Sequence, residues 1–376
     1  MKNKPFLSIC IPTYKRAESL EHVLNTLVKE VMMCSAPVEI CVSDNGSKDG
    51  TYELLKRYAK RYNFIRIRRN KTNVGYDNNF IAVLKMANGE YCWPINDHAE
   101  CIHGAITDLI ETLKRNKPIA CLLKNVDRDA SHTDILFQKE MYDNSEFINA
   151  YATALNAVSE TDPISGAITS YVFERRTLEK VLNRKKMPNQ MYGWAHLVLF
   201  LHVVSQHKGK ILVYKKRLVN NLVSIKKYKV FFPSEVIQVF MINRIKALDA
   251  LPIDKKLKDV FVRYVENKYS IAYVKSLVRF IVVKDIIDKE FKERNETEKM
   301  LALGKYDFTL LDSVVISFLK FIIDNSILRK TAAYFLIKAV PTLRQLHENM
   351  ERYTKKELSS SIERDLPLDI NKGRNQ

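Results

Sequence analysis

Val38-Glu39-Ile40-Cys41-Val42 runs directly into Ser43-Asp44-Asn45-Gly46-Ser47-Lys48-Asp49-Gly50-Thr51, so an apolar segment stops at small polar and acidic residues. The pattern recurs where Tyr91-Cys92-Trp93-Pro94-Ile95 ends in Asn96-Asp97-His98. Short apolar runs bounded by turn formers read as buried strands of a parallel sheet. In open α/β sheets, ligands bind outside the carboxyl ends of the strands, where the strand order reverses. Two acidic strand ends in one domain therefore predict a shared ligand, a nucleotide with a cation. Either cluster alone reads equally as an ordinary βα turn, because Asp, Asn and Gly are turn formers.

The same grammar extends in both directions. Phe6 to Ile11 is a first buried strand, followed by Pro12-Thr13-Tyr14-Lys15-Arg16 and a helix marked by Leu20, Val23, Leu24, Leu27, Val28 and Val31. A second helix carries Tyr52, Leu54, Leu55 and Tyr58, and Phe64 to Arg68 alternates as a half-exposed strand does. Asn70 to Asn79 reads as a polar loop around Gly75, then a helix through Ile81, Leu84 and Ala87 stops at Gly89. After the Tyr91–Ile95 strand come a helix over Ile106, Leu109, Ile110 and Leu113 and a strand from Ile119 to Val126. Alternation of strand and helix predicts a doubly wound, mostly parallel α/β sheet. Residues 127–165 have weaker periodicity and many polar residues and read as a loop region over the sheet. Ala167 to Phe173 reads as a strand, Thr177 to Leu182 as a short helix. A helix from Gly193 to His207 and a strand from Ile211 to Tyr214 complete the domain.

Charge and cysteines bound the rest. The 376 residues hold 61 basic and 43 acidic side chains, a net charge of +18. Such an excess points to phosphates, nucleic acid or an anionic membrane face. No RNP-type motif, zinc knuckle or basic zipper supports nucleic acid, which is set aside as a partner. Cys10, Cys34, Cys41, Cys92, Cys101 and Cys121 show no CxxC spacing. The N-terminus enters a strand pattern without a signal-peptide pattern, and no uncharged apolar run reaches about 18 residues. The expectation is a cytoplasmic protein with reduced thiols.

Leu7-Ser8-Ile9-Cys10-Ile11-Pro12-Thr13-Tyr14-Lys15-Arg16, then the Ser43–Thr51 segment, then Asn73-Val74-Gly75 and Gly89-Glu90-Tyr91, together resemble the N-terminal half of family 2 inverting glycosyltransferases of the GT-A fold. The similarity covers roughly residues 5–220. It implies a Rossmann-like GT-A sheet domain and transfer of a sugar, with inversion, from a nucleotide-sugar to a saccharide acceptor of a bacterial surface glycan. The implied donor is a UDP-sugar, with CDP and dTDP left open. By resemblance Pro12, Thr13 and Tyr14 line the base pocket, Asp44 with Asn45 binds the base, and Arg16 lies near the nucleotide. Arg16 reads equally as a solvated helix-entry residue. Asn73, Gly75 and Asn79 form the loop beside ribose and diphosphate, and Asp49 reads chiefly as a cap for the helix at Thr51.

Two departures from the family stand out. Its Asp-x-Asp falls on Asn96-Asp97-His98, where Asn96 can still bond a ribose hydroxyl. Asp97 and His98 can still ligate a divalent cation, the imidazole favouring manganese over magnesium. Asp97 keeps a carboxylate at this strand end, as in the subgroup with Gly-Asp-Asp-Asp there, which includes abequosyltransferase-like enzymes. The alternative is a lost metal site, and with it an inactive homologue acting as a binding or scaffold subunit. The second departure is at the acceptor base. Glu-Asp is replaced by Gly193-Trp194-Ala195-His196, which makes His196 the candidate base and Asp162 the second candidate. His196 reads alternatively as a packed core residue, and Trp194 as a sugar-stacking or a core ring.

The chain changes character after the Lys226-Lys227-Tyr228-Lys229 run. The expected organisation is a GT-A domain over 1–225, an all-helical basic C-terminal domain over 234–350, and a disordered tail over 355–376. Basic residues among the helical apolar positions, among them Lys255, Lys256, Lys258 and Arg263, suit peripheral docking on an anionic membrane beside a lipid-linked acceptor. A solvated bundle or a homo-oligomer through the same helices is the competing expectation.

Overall fold

Segments with no polar alternation fill the middle of the sheet, and the alternating one lies at its edge. The computed structural model describes residues 4–123, 137–157, 167–183, 191–221, 243–249 and 310–341, with isolated residues between 255 and 286 and between 343 and 348. The chain divides into two compact units, Met1–Ile225 with Lys246–Val262, and Lys226–Ile245 with Arg263–Gln376.

In the first unit, β1 (Leu7–Thr13) and β2 (Val38–Asp44) are buried at every position, as strands covered on both faces must be. β3 (Ile65–Arg69) is half exposed, and its arginines keep that sheet edge from pairing with another chain. β4 (Tyr91–Pro94), β6 (Ala120–Leu123), β8 (Tyr171–Glu174), β9 (Lys210–Tyr214) and β7 (Met141–Asp143) complete one sheet of order β3-β2-β1-β4-β8-β6-β9-β7. A separate antiparallel pair joins β5 (Ala99–Cys101) to β10 (Val219–Asn221). Helices α1 (Ala17–Met33) and α4 (Ala105–Asn116) bury the apolar stripes that their spacing predicts. α2 (Thr51–Arg61) buries Leu54 and Leu55 with Tyr52 and Tyr58 half-buried, and α3 (Tyr76–Met86) buries Phe80, Val83 and Leu84 and leaves Ile81 half-buried. Further along come α5 (Asn144–Ala157), α6 (Arg175–Leu182) and α7 (Ala195–Gln206).

The mostly parallel expectation holds, with two antiparallel insertions. β8 lies between β4 and β6 and runs antiparallel to both, and β7 runs antiparallel to β9. Ala167–Phe173 is not one strand. Ile168–Ser170 is a 3-10 turn, and β8 begins only at Tyr171. The 127–165 region is not all loop, because β7 and α5 lie within it. Asn, Thr and Ala dilute the apolar period of α5, yet Phe147 and Tyr151 are fully buried. Asn144 joins this helix to α7, donating from Nδ2 to the Val204 and His207 carbonyls while Gly209 N–H donates to its Oδ1. Helix α3 starts at Tyr76, earlier than the polar sequence suggests, because Gly75 at φ 84° turns the chain into it.

The second unit contributes α9 (Leu310–Asp324) and α10 (Ser326–Ala339), preceded in the chain by α8 (Asn243–Asp249). Asn325 caps α10 by accepting from the Ile327 and Leu328 N–H groups. Buried Arg329 donates to the Ile323 carbonyl and to Asp285. The expected tail over 355–376 lies outside the described residues.

One buried amide holds the strand ends together. Asn79, 3% exposed, accepts at Oδ1 from Ser43 Oγ (2.7 Å) and Asn70 Nδ2 (3.0 Å). Its Nδ2 donates to the Ser43 carbonyl (3.0 Å) and the Thr13 carbonyl (3.4 Å). The side chain is thus engaged on both sides and braces α3 against the ends of β1 and β2. Asn79→Ala orphans buried donors and acceptors, so it should destabilise the fold by about 1–3 kcal/mol. Urea unfolding with an unchanged slope and a lowered midpoint is the expected readout.

Candidate functional site at the carboxyl ends of the strands

Strand register sets the site. β1 pairs with β2 so that Thr13 stands beside Asp44, and with β4 so that Cys10 stands beside Pro94. The chain moves from β1 outward through β2 and β3, then returns to place β4 on the other flank of β1. The strand order therefore reverses between β1 and β4, which is where ligands of such sheets bind. Thr13 Oγ1 donates to Asp97 Oδ2 across that reversal, at 2.9 Å. His98 Nδ1 lies 3.1 Å from Asp97 Oδ1, and the His98 side chain is 43% exposed. Asn96, Asp97 and His98 are all half-buried, at the rim of the sheet.

Asp44 is wholly buried. Its Oδ1 accepts from the Ser47 N–H at 3.1 Å, closing the turn after β2. Its Oδ2 forms an ion pair with Arg69 Nε at 3.3 Å and, among the described residues, accepts no hydrogen bond. Arg69 also donates to the Ser47 carbonyl and lies 4.8 Å from the Tyr52 ring centroid. Its importance was missed in the sequence. No local pattern signals it, because strand pairing is what sets Arg69 at the end of β3 in register with Asp44 at the end of β2.

Asparagines build the loop beside these ends. Asn45 Oδ1 accepts from the Val74 N–H and from Asn70 Nδ2, both at 3.0 Å. Asn45 Nδ2 donates to Asn73 Oδ1 at 2.8 Å, and Asn73 Oδ1 also accepts from the Gly75 N–H. Asn45 and Asn73 thus shape the loop through their own bonds to it. Gly46 lies where a Cβ would stand 2.9 Å from the Thr72 carbonyl carbon, so only glycine lets the two loops close on one another.

The residues after β1 share that framework. Pro12 is buried, and Tyr14 and Arg16 are half-buried. The Lys15 N–H donates to Ser47 Oγ, and the Arg16 N–H to Thr51 Oγ1. Asp49 Oδ1 accepts from Thr51 N–H and from Thr51 Oγ1, while Oδ2 accepts from the Ala17 N–H. Asp49 therefore ties the starts of α1 and α2 together.

The acceptor-side candidates are only partly brought in. His196 is buried, enclosed by the rings of Tyr76, Phe80, Tyr171 and Trp194. Its Nδ1 stands 3.3 Å from the Tyr76 hydroxyl. Burial, then the neighbouring Asp77 and Asp97 carboxylates, hold the Tyr76 phenol well above its ordinary pKa, so it stays neutral. Trp194 is packed among these rings and buried. Asp162 lies outside the described residues. Asp77, also missed in the sequence, accepts from the Gly193 N–H at Oδ2 (2.8 Å) and from the Ala195 N–H at Oδ1 (3.1 Å). Burial pushes the Asp77 carboxyl up, and those backbone bonds oppose the shift.

Among the described residues, no three His, Cys, Asp or Glu side chains group to hold a metal by themselves. Asp97 and His98 are the protein donors nearest such a role.

Known proteins share this architecture. Residues 8–182 match the sequence model of the family described as Glycosyl transferase family 2. The chain is 48% identical over 88 residues to "Abequosyltransferase RfbV" of Salmonella typhimurium, covering 23% of this chain and 26% of that protein. It is 36% identical over 63 residues to "Glycosyltransferase AglE" of Haloferax volcanii, covering 17% and 20%. The chain thus spans about a quarter of the length of the first of these relatives. The crystal structure of S. aureus TarS 1-349 in complex with UDP superposes with a TM-score of 0.50 at 14% identity, covering 96% of this chain and 94% of that one. The UDP-GlcNAc complex of TarS 1-349 gives 0.50 at 14% identity, over 98% and 97%. At that identity the likeness is one of fold. On its motifs and the match over residues 8–182, this stretch is similar to glycosyl transferase family 2, and the fold is the one shared with TarS 1-349.

Proposed function

We propose that this chain transfers a sugar, with inversion, from a UDP-sugar to a saccharide acceptor of a bacterial surface glycan. One observation carries the reading. Thr13, Asp44 and Asp97 converge at the strand ends, with Thr13 bonded to Asp97 across the strand-order reversal, inside a stretch similar to glycosyl transferase family 2. TarS, which shares the fold, is known in complex with UDP and with UDP-GlcNAc.

In this reading the base lies between Tyr14 and the β2 end, with Asp44 as its acceptor partner and Arg69 beside it. Pro12, Arg16, Asn45, Asn73, Gly75 and Asn96 border the nucleotide, and Asn79 acts through the frame behind them. The acceptor oxygen attacks the anomeric carbon opposite the diphosphate. The new carbon–oxygen bond forms as the bond to the diphosphate breaks, and the diphosphate departs with the electron pair. The acceptor hydroxyl proton goes to a base. His196 is our assignment for that base, beside neutral Tyr76, and Asp162 is the alternative.

A divalent cation, manganese before magnesium, fits Asp97 and His98. Carboxylate and imidazole give two ligands, and diphosphate oxygens would supply others. Bound there, it would neutralise charge on the leaving group. The Asn96-Asp97-His98 sequence also favours a second reading, an inactive homologue that binds nucleotide without transfer.

We further assign this protein to the inner face of the cytoplasmic membrane as a peripheral protein. No helix among the described residues is long and apolar enough to cross a membrane. On α9 and α10, Phe318, Phe321, Ile327 and Phe335 are exposed, with Lys320, Lys330 and Lys338 among them. Apolar rings flanked by lysines suit an anionic interface.

Three outcomes test these assignments. The wild-type chain should bind UDP by calorimetry and transfer sugar from a UDP-sugar, while Asp44→Ala should weaken UDP binding by about 1.5–3 kcal/mol without unfolding. UDP binding without transfer from any nucleotide-sugar would favour the inactive homologue. EDTA should abolish transfer and manganese restore it, with His98→Ala raising the manganese requirement about 10–100-fold; full activity in EDTA would remove the cation. The protein should sediment with anionic vesicles, be released by salt, and ignore neutral ones; equal recovery with both would overturn the membrane assignment.

A further inference from the structure

Two adjacent side chains in the first turn of α3 reach the same distant segment. Tyr76 meets His196, and Asp77 takes the Gly193 and Ala195 N–H groups. That turn follows directly on the Asn73–Gly75 loop, and Asn79 and Phe80 fix it to the sheet from behind. The segment it grips is unusual. Tyr192 and Gly193 both have positive φ, 54° and 86°, and tyrosine adopts that conformation only when its surroundings impose it. Helix α7 starts immediately after, and Trp194 offers it no side-chain cap. The missing cap comes from another element. A carboxylate at a helix N-terminus satisfies unpaired N–H groups and complements the helix dipole.

We propose that Asp77 is a positioning residue for glycosyl transfer, clamping the 191–196 turn to the nucleotide loop and so fixing the acceptor side relative to the donor. This rests on the transfer reading above. Both carboxylate oxygens are used, each on a different residue of the turn, so the turn is held against translation and rotation together. Tyr76 adds a third point of attachment at His196. Gly75 joins the loop directly to the turn that carries the clamp, so loop and 191–196 are held to one frame. Misplacement of reacting groups by about 1 Å costs on the order of a hundredfold in rate, so a tether of this kind acts on turnover more than on donor affinity.

Asp77→Asn keeps the volume but replaces one acceptor oxygen with a donor amide that faces backbone N–H. In the full-length chain, amides of 191–196 should exchange with deuterium faster in this variant, while those of 38–47 stay unchanged. UDP affinity should remain within about twofold and kcat for transfer should fall at least about tenfold. Tyr76→Phe, which leaves the carboxylate bonds in place, should give a smaller fall in kcat with the same unchanged UDP affinity. It carries the test should Asp77→Asn melt early. Unchanged exchange at 191–196, or equal losses in UDP affinity and kcat, would overturn the proposal. Exchange is read without substrate. Faster exchange in Asp77→Asn combined with no UDP binding by the wild type would therefore sustain the clamp and overturn the transfer reading instead.

Discussion

A parallel ladder that stops abruptly leaves backbone carbonyls and N–H groups with no strand to meet. The polar framework at the ends of β1 and β2 depends on how Asn79 answers that constraint. It takes the Thr13 and Ser43 carbonyls where β1 and β2 end, and it receives Ser43 Oγ and Asn70 in return. An uncharged amide does this without the desolvation cost of burying an ion. Asn45, Asn70 and Asn73 extend the same chemistry outward. The frame is neutral, which leaves the buried charge of Asp44 as a deliberate exception, paired with Arg69.

The carboxylates near the site divide by task. Asp49 and Asp77 are spent on backbone N–H groups at helix starts, where a negative charge is favourable. Asp97 engages a hydroxyl and an imidazole at the rim, with partners that a ligand could replace. Asp44 lies between these cases, since one oxygen closes a turn and the other forms an ion pair. Such a division separates groups that hold the architecture from groups still available to recognise something.

The central strands, the first four helices and the acidic strand ends were legible because burial on both faces and helical spacing each leave a period in the sequence. What escaped shares one cause, dependence on partners far away in the chain. β8 is a short run whose place between β4 and β6 is set by pairing rather than by its own pattern. β5 and β10 are three residues each and exist through one another. Arg69 and Asp77 drew no reading from the sequence, one lying just past the alternating strand and one within the polar loop. Their roles follow from Asp44 and from Gly193 with Ala195, which no local window contains. Asn79 was read toward the ligand, whereas its bonds show it braced against the strand ends.

The antiparallel placement of β8 has a consequence for synthesis on the ribosome. β2, β3 and β4 can each pair as they emerge, since each finds a neighbour among residues already made. β6 cannot, because both of its neighbours, β8 and β9, are encoded downstream of it. Until Tyr171–Glu174 leaves the exit tunnel, β4 shows an open edge and β6 stays unpaired, both of them apolar. Unpaired apolar edges are the surfaces on which nascent chains aggregate. The span between Leu123 and Tyr171 is thus a window of vulnerability during translation, and the speed at which it is decoded bears on the yield of folded protein.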